Sequence, residues 1–465
     1  MSKIIKKILN FQKEKNGSIS ILVLIMGLAV ILLTTAMVGY IFRDIDFTEQ
    51  DKDKLRALHF AESGLSNMYY NLDQLSEGLI EELPAGVFPD YYTGYVPDPD
   101  DPEGSFEVKY EIDDSAEIDR YIITSTGTDI SSGVTRTVMV ETFYINILDF
   151  IFTGRASGAA QLAGQINITG PFFVADIIDD KFIGNTSFNK GPLFVKGYID
   201  MSGNSSIGEE FEYVHVDGES YGPIILVLGG DFNYKGEIID PLNPPEGSDI
   251  YVSEYYHKAI DVTLTAIDDD YIGLVVASGA LEIPGNLLIS NGKIEVDGVE
   301  IIDDYDGLKF NDDGILEISG DIIVYGTIEI GRKKETIEYS GNGNLISTGN
   351  ITVGSQVIPE ENLANFPSSD LMALISQNNI YLNLTTANGG EYEDPKAALM
   401  LIASNEVNTT TNTFLRGGTV SNNLQLGLNT TIYYETGIGE YLTAGIPGFG
   451  ENIKLEMSWQ EIIAD

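Results

Sequence analysis

The sequence predicts an α+β and all-β protein: a long N-terminal membrane helix with a small antiparallel sheet, followed by a large β-solenoid. Three observations lead to this fold class. An uncharged apolar stretch fills residues 17–42, a helix-like apolar stripe continues beyond it, and many short apolar runs separated by Gly and Asn occupy the rest. With 43% hydrophobic residues, the chain has enough apolar material for a core.

Charge divides the chain into unlike parts. There are 26 Lys and Arg against 71 Asp and Glu, a net charge of −45. Such a field repels nucleic acid, so no nucleic-acid partner is expected for the bulk of the chain. Residues 1–17 form a basic leader with five Lys and one Glu, and they carry +4. The chain has no cysteine, which excludes disulfides, thiol nucleophiles and Cys-based zinc sites.

The apolar stretch has the length of a membrane span. No charged residue lies between Lys15 and Arg43, and about 20 helical residues cross a hydrocarbon core of ~30 Å, so the lipid bilayer is an expected partner. The Lys-rich leader predicts a cytoplasmic N-terminus, with the chain single-pass in the cell membrane and its C-terminal part outside. The alternative is a secretory signal cleaved near Ala36, but the helical pattern continues past the membrane.

Beyond the span, apolar residues recur at intervals of three or four. They trace one face of a helix. The pattern predicts one long helix over 18–83 of about 60 residues, with 18–42 transmembrane and 43–83 exposed and amphipathic. A coiled coil or an ordinary bundle helix is the alternative interpretation of the stripe. The stripe consists of Leu55, Leu58, Ala61, Leu65, Met68, Leu72, Leu75 and Leu79.

Two β-rich domains and a cap are predicted after the helix. Residues 84–148 form a small antiparallel domain, because three stretches alternate with period two. Residues 149–440 form the β-solenoid, since apolar strands end at Gly, Ser-Gly or Asn corners; a large β-sandwich is the alternative. Residues 441–465 form a C-terminal cap in which Trp459 covers the last coils. The alternating stretches are 106–112, 121–128 and 135–144.

The start of the chain resembles the type IV pilin superfamily. The resemblance rests on the leader ending at Gly17, the apolar helix directly after it, and the run ALHFAESGL at 57–65. It is closest to minor pilins with a PilX N-terminal domain, of the Gram-positive type. Ala61, Glu62 and Gly64 match the helix motif of that branch, although a single Glu on such a helix is also expected simply to be solvated.

The resemblance implies processing and assembly partners. Prepilin peptidase would cut after Gly17 and leave Ser18 as the first residue, and other pilin subunits and the pilus assembly machinery would be partners. Major pilins carry a Glu five residues into the mature chain, where this sequence has Leu22. Its absence implies a minor, priming or tip subunit rather than the main filament subunit.

No catalytic, cofactor-binding or metal site is predicted. His59, His215 and His257 lack the spacing of metal ligands, and the chain has no H-E-x-x-H, G-x-S-x-G, P-loop or dinucleotide motif. Some acidic clusters have oxygen ligands suited to Ca²⁺, and solvated loops are the alternative explanation. These clusters are Asp98/Asp100/Asp101/Glu103, Asp268–Asp270, Asp303/Asp304/Asp306 and Asp312/Asp313.

The functional hypothesis is a non-enzymatic, minor pilin-like component of a type IV pilus or related filament. Its helix anchors the chain and its acidic β-rich region is displayed at the cell surface. The alternative is a membrane-anchored surface protein with a carbohydrate-binding or polysaccharide-acting β-solenoid, outside any filament.

Overall fold

The computed structural model describes most of the chain, with gaps between elements. It comprises residues 2–76, 91–96, 102–113, 120–145, 148, 150–155, 166–174, 186–201, 205–210, 213–214, 220–258, 267–301, 305, 307–332, 334–360, 363–385, 387, 389–435, 437–442 and 453–462. Residues 77–83, the predicted end of the long helix, lie outside it.

One helix, α1 (Ser2–Ser76), runs without a break for 75 residues, about 110 Å at 1.5 Å per residue. It begins well before the predicted start at residue 18 and continues through Gly17. Residues 17–42 of α1 carry no charge, and the part after Arg43 is amphipathic. Ala57, Ala61 and Met68 are fully buried there, so the predicted continuation of the helix beyond the apolar stretch is confirmed.

The amphipathic half of α1 packs on a five-stranded antiparallel sheet. The strands are β1 (Tyr91–Val96), β2 (Gly104–Asp113), β3 (Arg120–Asp129), β4 (Thr135–Ile145) and the last strand of the chain, β35 (Ile453–Ile462), in the order β1-β2-β3-β4-β35. The three strands predicted from alternation are therefore present. In β3 every second residue is buried along its whole length, because one face meets the helix.

The large β-rich region is inserted between two adjacent strands of this sheet. The last residue of β4, Ile145, is opposite the first residue of β35, Ile453. The chain thus leaves the small sheet and returns to it at one point. Residues 441–465 are predicted to cap the coils. Their described strand pairs with β4, whose edge groups need hydrogen-bond partners, and its Met457 is buried with the core of the insertion, so the cap stays a prediction. Trp459 lies opposite Val140 and is 51% exposed, so it does not cover the coils.

The described part of the insertion consists mainly of strands, with one α-helix, α2 (Asp269–Ala277), between its two halves and two short 3-10 helices, Leu363–Asn365 and Ile438–Tyr441. The first half contains β5 (Ile151–Arg155), β6 (Ile166–Thr169), β7 (Phe172–Val174), β8 (Thr186–Phe188), β9 (Leu193–Val195), β10 (Ile199–Met201), β11 (Ser206–Ile207), β12 (Tyr213–Val214), β13 (Ser220–Tyr221), β14 (Ile224–Leu228), β15 (Phe232–Tyr234), β16 (Glu237–Ile238) and β17 (Val252–His257). The second half contains β18 (Leu281–Pro284), β19 (Leu287–Ser290), β20 (Lys293–Val296), β21 (Val299–Glu300), β22 (Leu308–Phe310), β23 (Leu316–Ile318), β24 (Gly320–Tyr325), β25 (Ile328–Ile330), β26 (Thr336–Ser340), β27 (Asn342–Ser347), β28 (Ile351–Val353), β29 (Gln356–Pro359), β30 (Leu371–Ser376), β31 (Asn379–Leu382), β32 (Ala397–Thr409), β33 (Phe414–Gln425) and β34 (Thr430–Tyr434).

Parallel pairing stacks the strands of the insertion in an order that differs from the chain order. One continuous stack reads β18-β24-β27-β30-β32-β33-β5-β7-β9-β14-β17. The chain enters the stack in the middle at β5 and runs to one end at β17. It continues at the opposite end with β18 and then returns to β33, which pairs with β5.

Stacked glycines form one corner of these layers. An added Cβ on Gly326 would lie 2.6 Å from the carbonyl oxygen of Gly285, and one on Gly349 would lie 2.8 Å from that of Gly326. Only glycine permits this approach, which explains the recurring apolar-strand–Gly pattern of the sequence. Between the corners, strands such as β30 are buried at every residue and read as continuous apolar runs.

The structure thus contains the long apolar helix, the small sheet and a large β-rich region with several sheets. Parallel stacking of short strands is what the solenoid prediction requires. No closed solenoid is found in the described ranges, so the β-solenoid stays a proposal.

Candidate functional site: the anchor helix and its docking sheet

The apolar half of α1 is suited to a lipid or helix-bundle environment. Among the described residues it is the one helix long and apolar enough to cross a membrane, and its most apolar window is not buried at all. Two hydroxyls within it have partners inside the helix: Thr34 and Thr35 donate to the carbonyl oxygens of Val30 and Ile31, each at 2.8 Å. Such internal bonds satisfy these two hydroxyls in hydrocarbon.

The residues implied in processing lie about four to six turns into this helix. The helical backbone passes through Gly17, Ser18 and Leu22. Their side chains are outside the described part of the chain. Cleavage after Gly17, and the consequence of Leu22 in place of a Glu, therefore stay predictions.

Two residues of the predicted helix motif form a close seam with the sheet. A Cβ on Gly127 of β3 would lie 2.2 Å from both the carbonyl oxygen of Ala57 and the amide nitrogen of Ala61. A Cβ on Gly64 would lie 2.2 Å from Ser125 Oγ. The small residues therefore let the helix backbone approach β3 directly. Sequence analysis identified Ala61 and Gly64 but missed Gly127. A glycine inside a predicted strand often marks a place where another backbone approaches closely, and this was the available signal.

Glu62 points away from the seam. Its Oε2 lies 3.0 Å from Nδ1 of His59 on the outer face of the helix, and both side chains are exposed. Together with Ser63, Ser66, Asn67 and Tyr70 they line a shallow, open groove. The predicted motif is thus divided between two faces: Ala61 and Gly64 contact the sheet, and Glu62 faces outward.

An acidic side chain anchors the turn that follows β3. Asp129 is 1% exposed, and its Oδ1 accepts from the backbone N–H of Ser131 at 2.8 Å and of Ser132 at 3.1 Å. Arg56 of α1 lies 3.8 Å from its Oδ2. The hydrogen bond from the Ser131 hydroxyl, together with the backbone bonds and the Arg56 charge, lowers the pKa of Asp129. This carboxylate therefore links helix, strand and turn.

The Asp129 contacts predict an acid-sensitive stability. Because the folded-state pKa is lowered, the stabilisation is present above the ordinary pKa of an aspartate and is lost as pH falls through the lowered value. We expect Asp129→Ala to cost about 1–3 kcal/mol at neutral pH and to reduce the loss of stability in acid. Urea unfolding of the full chain in detergent between about pH 2 and 7 measures both.

Another aspartate, Asp51 on α1, serves as the control for that prediction. Asp51 makes an exposed ion pair with Lys54 at 3.5 Å. Exposed pairs contribute little, so Asp51→Ala should change stability by less than about 0.5 kcal/mol at any pH. Equal effects of the two substitutions would contradict the role assigned to Asp129.

One of the acidic clusters considered for Ca²⁺ has another role in the structure. Asp268 is the N-cap of α2 and accepts from the N–H of Tyr271 at 3.0 Å, with Asp269 and Asp270 in the first turn. Acidic residues stabilise that end of a helix. No group of three His, Cys, Asp or Glu residues that could hold a metal ion occurs in the described ranges. Calcium binding stays untested, and the cluster at 303–306 has no described aspartate.

The predicted histidines are separated in the structure. His257 in β17 contacts the hydroxyl of Tyr255 at 3.2 Å, His59 lies on α1, and His215 is outside the described residues. They therefore do not form a common site within the described chain.

Comparison with known proteins finds a match among solved structures. No protein-family model and no curated protein matches the sequence. The chain is similar in structure to the competence-associated pilin ComZ from Thermus thermophilus, with 14% sequence identity and a TM-score of 0.47. The match covers 88% of this chain and 97% of that chain. The matched structure is that of a pilin. The more specific resemblance to PilX-type minor pilins stays a prediction.

Proposed function

We propose that this protein is a non-enzymatic, minor pilin-like component of a type IV pilus or related filament. The observation that supports this function is the continuity of α1. One unbroken helix joins an exposed apolar segment of membrane length to a close seam with an antiparallel sheet. The anchor and the small sheet therefore move as one body, so a displacement of the helix out of the membrane would carry the β-rich region with it.

The processing steps and partners belong to the same proposal. Prepilin peptidase cuts after Gly17, and the helix beginning at Ser18 then joins the helices of other pilin subunits with the help of the assembly machinery. Leu22 brings no charge into that apolar bundle, which avoids the cost of a buried unpaired carboxylate. A subunit without the usual Glu suits a minor, priming or tip position, as in PilX-type proteins.

The insertion supplies the displayed surface in this proposal. Residues 149–440 form a β-solenoid outside the membrane, and parallel stacking of short strands with glycine corners supports that architecture. The small domain then comprises 84–148 together with the strand of the C-terminal segment, while 18–83 form the helix and 1–17 the cytoplasmic leader.

One face of the insertion favours the alternative function, a membrane-anchored surface protein that binds carbohydrate. The outward side chains of adjacent strands β31, β32 and β33 are rich in amides: the Asn408 amide donates to Glu406 at 2.9 Å and the Asn379 amide to the Tyr381 hydroxyl at 3.0 Å. Planar amides beside an aromatic ring are groups that hydrogen-bond and stack on sugars. Binding to a panel of neutral polysaccharides would favour this function.

Mass spectrometry of the mature N-terminus tests the pilin-like proposal. We expect Ser18 as the first residue when the chain is produced with a prepilin peptidase, and an uncut chain when Gly17→Leu is introduced. Ala36→Leu is the control and should leave the cut at Gly17 unchanged. An intact Met1 in the wild-type chain, or a cut near Ala36, would contradict the proposal.

A further inference from the structure

One group of parallel strands in the insertion leaves a face open to solvent. The strands pair in the order β25-β28-β31-β32-β33, and we name them the side ladder. In β25, β28 and β31, buried residues alternate with half-exposed ones, whereas β30 in the neighbouring stack is buried at every residue. Alternation of this kind indicates that one side of the ladder packs on the core and the other faces water.

The open face of the side ladder carries two rows of polar side chains that cross its strands. Strand register places one residue of each strand in the first row, which consists of Glu329, Thr352, Tyr381, Asn408 and Gln425. Neighbouring strands lie about 4.8 Å apart, so this row is roughly 19 Å long. A polymer that lies across the strands therefore meets one side chain of the row at each successive strand.

The second row holds the side chains of the first in place. It consists of Asn379, Glu406 and Asn423, which lie opposite one another in β31, β32 and β33. The Glu406 carboxylate accepts from the Asn408 amide through Oε1 and from the Asn423 amide through Oε2, each at 2.9 Å. The Asn379 amide donates to the Tyr381 hydroxyl at 3.0 Å. Side chains that are already held in one arrangement lose little freedom when a ligand binds.

The chemistry of these groups suits sugar hydroxyls. An amide both donates and accepts hydrogen bonds, as a hydroxyl does. The Asn408 amide donates to the Gln425 carbonyl oxygen, which leaves the Asn408 carbonyl oxygen and the Gln425 N–H groups without a partner among the described residues. The ring of Tyr381 in the adjacent strand is half-exposed and offers a flat apolar surface to the face of a sugar ring.

Charge and composition disfavour other polymers on this face. The two rows contain the carboxylates of Glu329 and Glu406 and no Lys or Arg, and the net charge of −45 repels a polyanion. Glu329 pairs with Arg332 at 3.0 Å, while Arg155 of β5 lies opposite Asn423 with its side chain outside the described part of the chain. Protein interfaces are enriched in aromatic side chains and Arg, and an amide-rich surface with one ring does not have that composition.

We propose that the open face of the side ladder binds a neutral, unbranched polysaccharide whose chain lies across the strands. The Tyr381 ring packs against a sugar ring. The side chains of Asn408, Gln425 and Glu406 form hydrogen bonds with the sugar hydroxyls. This ligand belongs to the displayed region of the proposed function, and its binding does not require a filament. An uncut Gly17 would therefore contradict the filament role and leave the binding face, whereas absence of binding would leave the filament role.

Calorimetric titration of the full wild-type chain with oligosaccharides tests the proposal without a variant. The chain is kept in a detergent that lacks a sugar headgroup, because such a headgroup would compete. The probes are cellohexaose, chitohexaose, maltohexaose and laminarihexaose. We expect at least one to bind about tenfold more tightly than its own disaccharide, because the hexasaccharide meets more strands of the row. Absence of binding by all four at millimolar concentration, equal affinity for hexasaccharide and disaccharide, or equal binding of an anionic galacturonic acid hexamer would overturn the proposal.

Two tyrosine substitutions then locate the binding face. Tyr381→Ala should weaken binding of that hexasaccharide about tenfold, because an aromatic contact at the centre of the row is lost. The matched control is Tyr325→Ala: Tyr325 is 42% exposed at the end of β24, outside the side ladder, and its hydroxyl donates to Glu282 of β18. This control should keep the wild-type affinity, and thermal unfolding checks that both variants are folded. Unchanged affinity in Tyr381→Ala, or an equal loss in both variants, would contradict the assignment of the face.

Discussion

Adding one methyl group at Gly127 is expected to loosen the anchor helix from its sheet. The new Cβ would lie 2.2 Å from two backbone atoms of α1, the carbonyl oxygen of Ala57 and the amide nitrogen of Ala61. Backbone atoms within a helix move only together, so α1 must shift as a whole. Overpacking of this kind costs about 1–3 kcal/mol, and we expect Gly127→Ala to fall at the upper end of that range.

The same seam predicts an order of effects. Gly64→Ala should cost less than Gly127→Ala, because its new Cβ would meet the side-chain oxygen of Ser125, which is able to rotate, rather than backbone. Gly273→Ala in α2 is the matched control: its Cβ would meet no atom within 4 Å. Since alanine favours a helix interior over glycine, that variant should be neutral or more stable by up to about 1 kcal/mol.

Unfolding in urea, followed with hydrogen exchange of the backbone amides, measures these differences. Exchange should rise in Gly127→Ala for the buried half of α1 and for β3, while the stacked strands of the insertion keep their protection. Equal stability of Gly127→Ala and Gly273→Ala would contradict the close seam. So would a loss of protection that begins in the insertion.

Local patterns in the sequence predicted the elements well but not their long-range pairing. Alternation in β2, β3 and β4 and the helical stripe are local, and Leu65, Met68 and Leu72 are buried as the stripe requires. Leu55 belongs to the same stripe and is exposed, although Arg56 and Ala57 in the same helical turn contact β3. Periodicity predicts the face of the helix on which a side chain lies. It does not predict how much of that face the sheet covers.

Local sequence patterns did not predict the topology of the insertion. Nothing in the local pattern of residues 453–462 indicates that they pair with β4, more than 300 positions earlier. The pairing of β33 with β5 likewise joins segments whose order in the stack is not their order in the chain. The contact between Arg120 and Glu254 was missed for the same reason, since the two residues are far apart in sequence. An arginine in a region poor in basic residues was the available signal.

A cavity in one half of the insertion is expected to destabilise both halves. Leu374 of β30 is fully buried between Leu345 and Leu401 of the neighbouring layers. Leu374→Ala removes its contacts and leaves a cavity, which costs about 2–5 kcal/mol. Leu274→Ala is the matched control, because that leucine on α2 is 69% exposed and its truncation should cost less than about 0.5 kcal/mol.

The reach of that effect follows from the order of the stack. Because β33 pairs with β5, the strands from the end of the insertion and those from its beginning belong to one continuous ladder of parallel strands. Stacked layers are stabilised mainly through their neighbours, so a weak layer lowers the protection of layers on both sides. We expect Leu374→Ala to increase amide exchange in β9 and β14, which lie well over 100 residues earlier in the chain, as well as in β27 and β32. If the increase stopped at β33, the two halves would be separate folding units, and the entry of the chain into the middle of the stack would have no consequence for stability.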